Sequence, residues 1–220
     1  MILPKEIWYP FPITPYYNKI VVLMQQFAYI FHSSVIQLAD SIFFMMLHIA
    51  RAKLEILNDE LKQVVDENQL KKCIQDHQEI IWFIEEINKT SGLIILKTVF
   101  AAAFYLTLGY LQLLHKHETI DPVLVHQFLL MIAVVNYRMF FGTLCADAIY
   151  TLAEDLRYSV PWVSKSSGAS KSMYIIIQRC QKPLRLFVTG FVPTYSLVYY
   201  ASFLSSTFSY FLYIKAILKL

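Results

Sequence analysis

Charge is scarce in this sequence. Only 16% of its 220 side chains are Asp, Glu, Lys or Arg, against roughly 25% in a soluble domain, while 57% are apolar and the mean hydropathy is +0.47. Too little polar surface remains to cover a globule of this size, so lipid is the expected solvent for much of the chain. Glycine is rare as well, and neither glycine nor proline occurs between Pro15 and Gly92. Without those two breakers the stretch predicts one very long helix, or two joined by a short break near Glu67 to Lys72. Cysteine is limited to Cys73, Cys145 and Cys180, too widely spaced for a CxxC metal pair and too few for a disulfide framework.

Catalytic signatures are missing too. No HExxH, Walker, GxSxG or GxGxxG string occurs, and His115 and His117, two residues apart, would not face each other on a helix. No enzyme activity, metal or cofactor is expected. A net charge of +3 and the lack of a basic run interleaved with aromatics argue against a nucleic-acid partner. The leading segment MILPKEIWYPFPITPYY holds four prolines and no apolar core of a secretory leader, so membrane insertion is expected from internal spans, or from spans this chain no longer has.

What remains is long apolar runs. Residues 18–50, 93–114, 123–150 and 190–220 read as transmembrane helices, each meeting the roughly 20 residues, or about 30 Å, that a crossing needs. The first carries Gln25, Gln26, His32, Gln37, Asp40 and His48, so one of its faces should meet protein or water. Between the first two runs, residues 51–92 place Leu54, Leu57, Leu61, Val64 or Val65, Ile74, Ile80 or Ile81, Ile84 and Ile87 at three- and four-residue steps among charges. This is the pattern of amphipathic helices outside the bilayer. Asp121 and Pro122 suit a helix start, as N-cap and first helical residue, after a short loop at 115–122. Residues 151–189 read as a loop, or a broken helix, followed by a short helix over Met173 to Val188.

Lysine and arginine crowd into two segments, Arg51 to Lys89 and Arg157 to Arg185, while the 115–122 loop holds Lys116 alone. With four crossings both rich segments fall on one side, which the positive-inside rule assigns to the cytoplasm. The fold class is therefore an all-α membrane protein, four transmembrane helices with long cytoplasmic helical extensions, and residues 1–17 lie outside.

Two stripes carry candidate function. Gln25, Tyr29, Ser33 and Gln37 recur every fourth residue beside His32, a spacing that lines a cavity or joins helices by hydrogen bonds. In the last run, hydroxyls from Ser202 to Ser209 stand among Tyr210, Phe211 and Tyr213. They permit close helix packing, or a pore with Thr207, Ile214 and Leu218 as an approximate face.

The final segment RCQKPLRLFVTGFVPTYSLVYYASFLSSTFSYFLYIK resembles the ends of insect odorant receptors, as do WYPF followed by PYY, HQEIIWFIEEIN, QFLLMIAVVNYRMFFG and YSVPW. The resemblance covers essentially the whole chain. It implies a seven-span family of inverted topology, of which this chain holds spans four to seven: 18–50, 93–114, 123–150 and the pore helix 190–220. It implies a subunit of a ligand-gated non-selective cation channel that assembles with a shared odorant co-receptor into a heterotetramer in the plasma membrane of olfactory sensory neurons. A small volatile odorant would bind near Tyr29, His32, Ser33, Phe128 and Ile132. Thr207, Tyr210, Ile214 and Leu218 would line the pore, and membrane lipid would surround the spans. The competing expectation is a non-conducting membrane scaffold, or a degenerate receptor fragment without a ligand response.

Overall fold

The computed structural model describes Pro12 and residues 15–114, 122–159, 174, 177–181 and 184–218; the side chains of 110–114, 122–124 and 218 lie outside that description. Four long helices account for most of these residues: α1 Tyr16–Lys62, α2 Glu67–Leu114, α3 Pro122–Ser159 and α4 Leu197–Leu218. The only extended pairing among the described residues is one antiparallel bridge between Val188 and Val192. Three of the helices have stretches, Tyr16–Lys62, Glu67–Gly109 and Val125–Ser159, long and apolar enough to cross a membrane. At 22 residues, or about 33 Å, α4 has the length as well. Its serines and tyrosines dilute its apolar character, and it falls outside that group.

Residues 1–43 and 44–220 form two units. In the first, the start of α1 follows Pro15, whose carbonyl accepts the Lys19 amide at 3.2 Å, and Asn18 Nδ2 donates to Pro12 O at 2.8 Å. The Ser34 and Ser41 hydroxyls donate back to the carbonyls of Ile30 and Gln37, so these polar groups are satisfied within the helix, as an apolar solvent requires.

The second unit opens with a helical hairpin. Leu47, Ala50, Leu54, Leu57 and Leu61 on α1, and Leu70, Cys73, His77, Ile80, Ile84 and Ile87 on α2, are all buried. Their alternating three- and four-residue steps are the seam of a coiled coil. In water each fully buried leucine or isoleucine contributes ~1.5–3 kcal/mol, so the seam stabilises the hairpin. Lys72 Nζ reaches Glu60 Oε1 across it at 3.3 Å, and Lys53 Nζ lies over the Phe83 ring at 5.6 Å. The break falls at 63–66, just before the expected Glu67 to Lys72. Asp66 Oδ1 accepts the Glu67 amide at 2.7 Å while Gln69 Oε1 accepts the amides of Val65 and Asp66, the back-reaching half of a capping box, and these bonds start α2. Beyond it Leu70 sets the phase. Cys73 and His77 therefore take seam positions that the sequence reading gave to Ile74, and Val65 is 93% exposed.

Burial holds the His77 imidazole below its ordinary pKa, and the nearby Arg179 charge adds to the effect. A depressed folded value means that the unfolded chain binds the proton first. The stability His77 contributes is thus present above the unfolded value of about 6.5 and lost as pH falls through the folded one. The protection of the hairpin amides relative to their intrinsic exchange rates should fall on acidification below pH ~6.5, and His77→Gln should flatten that dependence.

α2 passes Gly92 without a break, so the amphipathic segment and the apolar run are one 48-residue helix. α3 begins at Pro122 as expected but continues past Tyr150 to Ser159, into the stretch expected to be a loop or a broken helix. Leu156 and Ala153 bury a face there, Arg157 Nη2 pairs with Glu154 Oε1 at 2.8 Å, and the Ser159 hydroxyl meets Asn58 Oδ1. The helix expected over Met173 to Val188 is also shorter. Residues 177–180 are helical and 184–187 are not, because Pro183 offers no N–H to continue the ladder.

Candidate functional site

Residues 184–196 fold into a small ribbon ahead of α4. Val188 and Val192 exchange backbone hydrogen bonds at 2.8 and 2.9 Å, the Tyr195 amide donates to Leu186 O at 2.7 Å, and Gly190 takes a φ of 81° at the bend. A side chain is strained at that φ, which is why glycine punctuates the chain there. The ribbon is tied to α2 by one side chain: Asn88 Nδ2 donates to Arg185 O at 2.9 Å and Asn88 Oδ1 accepts the Phe187 amide at 3.1 Å. Arg185 also stacks over Tyr150 of α3, and Phe191 meets Phe100 of α2 edge-on.

The ribbon delivers Tyr195 to α3. Tyr195 is 3% exposed, and its hydroxyl lies 2.7 Å from where a Cβ on Gly142 would stand. Its hydroxyl faces Met139 O at 3.5 Å. One turn into α4, Tyr200 OH donates to Asn136 Oδ1 at 3.2 Å, and the Asn136 amide group donates to Ile132 O at 2.9 Å. Beneath these contacts Ala102, Val135 and Met139 form a core, with Val99, Tyr105, Tyr199 and Phe203 packed on it. α3 and α2 meet closely at a second glycine: a Cβ on Gly109 would overlap Ile132 Cδ1. On the other side of α3, Phe141 packs edge-on against Phe44, 5.3 Å between centroids, and stacks with Tyr137.

The predicted odorant residues divide between two elements. Tyr29 and His32 are exposed and Ser33 half-buried on the first unit's part of α1. Phe128 and Ile132 are half-buried on α3, Ile132 over the Gly109 notch. The predicted pore residues divide by face. Thr207 is buried, its hydroxyl donating to Phe203 O at 2.8 Å, Ile214 is half-buried, and Tyr210 is 68% exposed. Leu218 ends α4, and its side chain lies outside the described residues.

Asn136, Gly142, Tyr195 and Tyr200 were not singled out from the sequence. The signal present was a lone amide and a glycine within the apolar run AVVNYRMFFG. Among the described residues, no three His, Cys, Asp or Glu side chains are grouped to hold a metal ion.

Residues 2–208 match the family described as 7tm Odorant receptor. Odorant receptor 10 of Aedes albopictus is 25% identical over 151 residues, which is 68% of this chain and 40% of that receptor. The fold is similar to that of olfactory receptor OR5 from Machilis hrabei solved in complex with eugenol, with a TM-score of 0.79, 19% identity, and coverage of 96% of this chain. A second structure of the same receptor gives a TM-score of 0.79 at 20% identity over 95% of this chain. The chain thus spans 40% of the curated relative and 56% of the solved receptor chain.

Proposed function

The chain belongs to the 7tm odorant receptor family, and on that premise we propose that it is part of a subunit of an odorant-gated, non-selective cation channel. Membership makes it a multi-pass membrane receptor chain with no catalytic role. In the proposed arrangement α4 is the fourth crossing, and the Arg51 to Lys89 hairpin and the 151–189 segment face the cytoplasm, in line with their lysines and arginines. The subunit works in the plasma membrane of olfactory sensory neurons, in a heterotetramer with a shared odorant co-receptor.

The proposed odorant-contacting residues are Tyr29, His32 and Ser33 on α1 and Phe128 and Ile132 on α3. Tyr210 and Ile214, with Leu218, are the proposed pore side of α4; Thr207, buried in this arrangement, would join them only if α4 turned about its axis. The observation that carries the reading is the Asn136 amide, which joins the carbonyl of Ile132 to the hydroxyl of Tyr200 on the proposed pore helix. A ligand can open the channel only by binding the open arrangement better than the closed one. A ligand displacing α3 at Ile132 alters this bridge, and so acts on α4 directly.

The test is current evoked by a panel of volatiles from the complete receptor co-expressed with its co-receptor. Asn136→Ala and Tyr200→Phe should each shift the half-maximal concentration ~3–10-fold, the equivalent of one hydrogen bond, and the double variant no further than one alone. Additive shifts would sink the bridge as a coupling element. An unchanged threshold in Tyr29→Ala with His32→Ala would remove those two from the pocket.

A further inference from the structure

A cleft of about 620 Å³ opens between α2 and the 187–189 bend of the ribbon. That volume is in the range of small-molecule sites, roughly 300–1,000 Å³. Its position is defined by the sequence of α2, which changes at Gly92 from an amphipathic helix to the apolar run that begins with Leu93. Its lining combines polar Glu85, Asn88, Lys89 and Thr189 with apolar Leu93, Phe187 and Val188. Leu93 is 80% exposed, and Phe187, Phe191 and Phe100 continue an exposed apolar wall up the span. Gly92 lies in the lining, and nothing stands within 4 Å of where its Cβ would be.

Such a cleft at the water–hydrocarbon boundary fits an amphiphile with its tail along the phenylalanines and its head among the charges. The charges select the head. The charged residues of the lining are one of each sign, Glu85 and Lys89, with Lys89 Nζ also 2.6 Å from Glu86 Oε1 beside the cleft. A purely anionic head would leave Glu85 without a partner. A head with an ammonium that donates to Glu85 and a phosphate that accepts from Lys89 and Thr189 is complementary to both. We propose that this cleft binds one phospholipid with a phosphoethanolamine head. The inference rests only on α2 entering the membrane near Gly92, and is independent of odorant gating.

The full chain, reconstituted in nanodiscs of mixed phosphatidylethanolamine, phosphatidylcholine and phosphatidylglycerol, is extracted gently and its retained lipid weighed by native mass spectrometry. One phosphatidylethanolamine per chain is expected, retained about tenfold over phosphatidylcholine, because three methyl groups remove the N–H donors that reach Glu85. Gly92→Leu should abolish that retention with helix content unchanged, its side chain filling open space. Glu85→Gln should erase the preference over phosphatidylcholine while leaving lipid bound. Equal retention of the two zwitterionic lipids, preference for phosphatidylglycerol, or retention unaffected by Gly92→Leu would each overturn the assignment. So would a chain-to-chain assembly that Gly92→Leu dissociates while lipid retention stays the same, since the cleft would then be covered by a second copy.

Discussion

Gly142→Leu should lower the thermal midpoint of the detergent-solubilised chain by about 4–8 °C, the equivalent of ~2 kcal/mol for a protein of this size. A Cβ at Gly142 would stand 2.7 Å from Tyr195 Oη, 3.1 Å from its Cε1 and 3.4 Å from Phe44 Cε1, so the new side chain enters occupied space from its first atom. Tyr195 is buried and its backbone N–H donates to Leu186 O, so it cannot swing aside without moving the start of α4. Overpacking of this kind costs ~1–3 kcal/mol or more, while leucine recovers up to about 1 kcal/mol over glycine in helix propensity. The strain therefore outweighs the gain. Removing the obstacle supplies the control: Tyr195→Ala with Gly142→Leu should be more stable than the sum of the two changes by ~1 kcal/mol or more. Strict additivity would show that the two residues do not bear on each other.

Ile84→Asp should open the hairpin outright. Ile84 is 2% exposed in the α1–α2 seam, where burying a carboxylate without a partner costs ~4 kcal/mol or more. That loss exceeds the contribution of any one seam residue and should release several neighbours together. Hydrogen exchange over residues 47–61 and 70–91 should rise toward the rate of open chain. Trp82→Asp, two residues away on a side chain that is 63% exposed, should leave the same amides protected. Protection surviving Ile84→Asp would mean that the membrane portion, rather than the seam, holds the hairpin shut.

The hairpin was largely legible because water imposes a period. Leu54, Leu57, Leu61, Ile84 and Ile87 lie where three- and four-residue steps put them, while the break falls a few residues ahead of its expected place, at the cap formed by Asp66 and Gln69. The apolar helices were legible as lengths and less so as faces. In lipid both sides of a helix are apolar, so the pattern of α3 does not say which residues meet protein. The contacts that organise the candidate site are distant in the chain: Gly142 with Tyr195, Asn136 with Tyr200, Asn88 with residues 185–187. A glycine or an amide in an apolar run marks a close approach without naming its partner. The end of α3 was misjudged for a related reason: the hydroxyls and charges of 151–159 suit a solvated helix as well as a loop, and the burial of Leu156 by other elements decides it.

The unbroken length of α2 makes it a lever. Its lower arm lies in the coiled-coil seam, Asn88 grips the ribbon that leads into α4, and about 32 Å further along the same rod Gly109 seats Ile132. A five-degree tilt pivoting at Asn88 would carry that upper seat sideways by about 3 Å, more than half the width of a side chain. Mechanical advantage of that size lets a modest rearrangement at the seam be felt as a large displacement at Ile132, and the reverse.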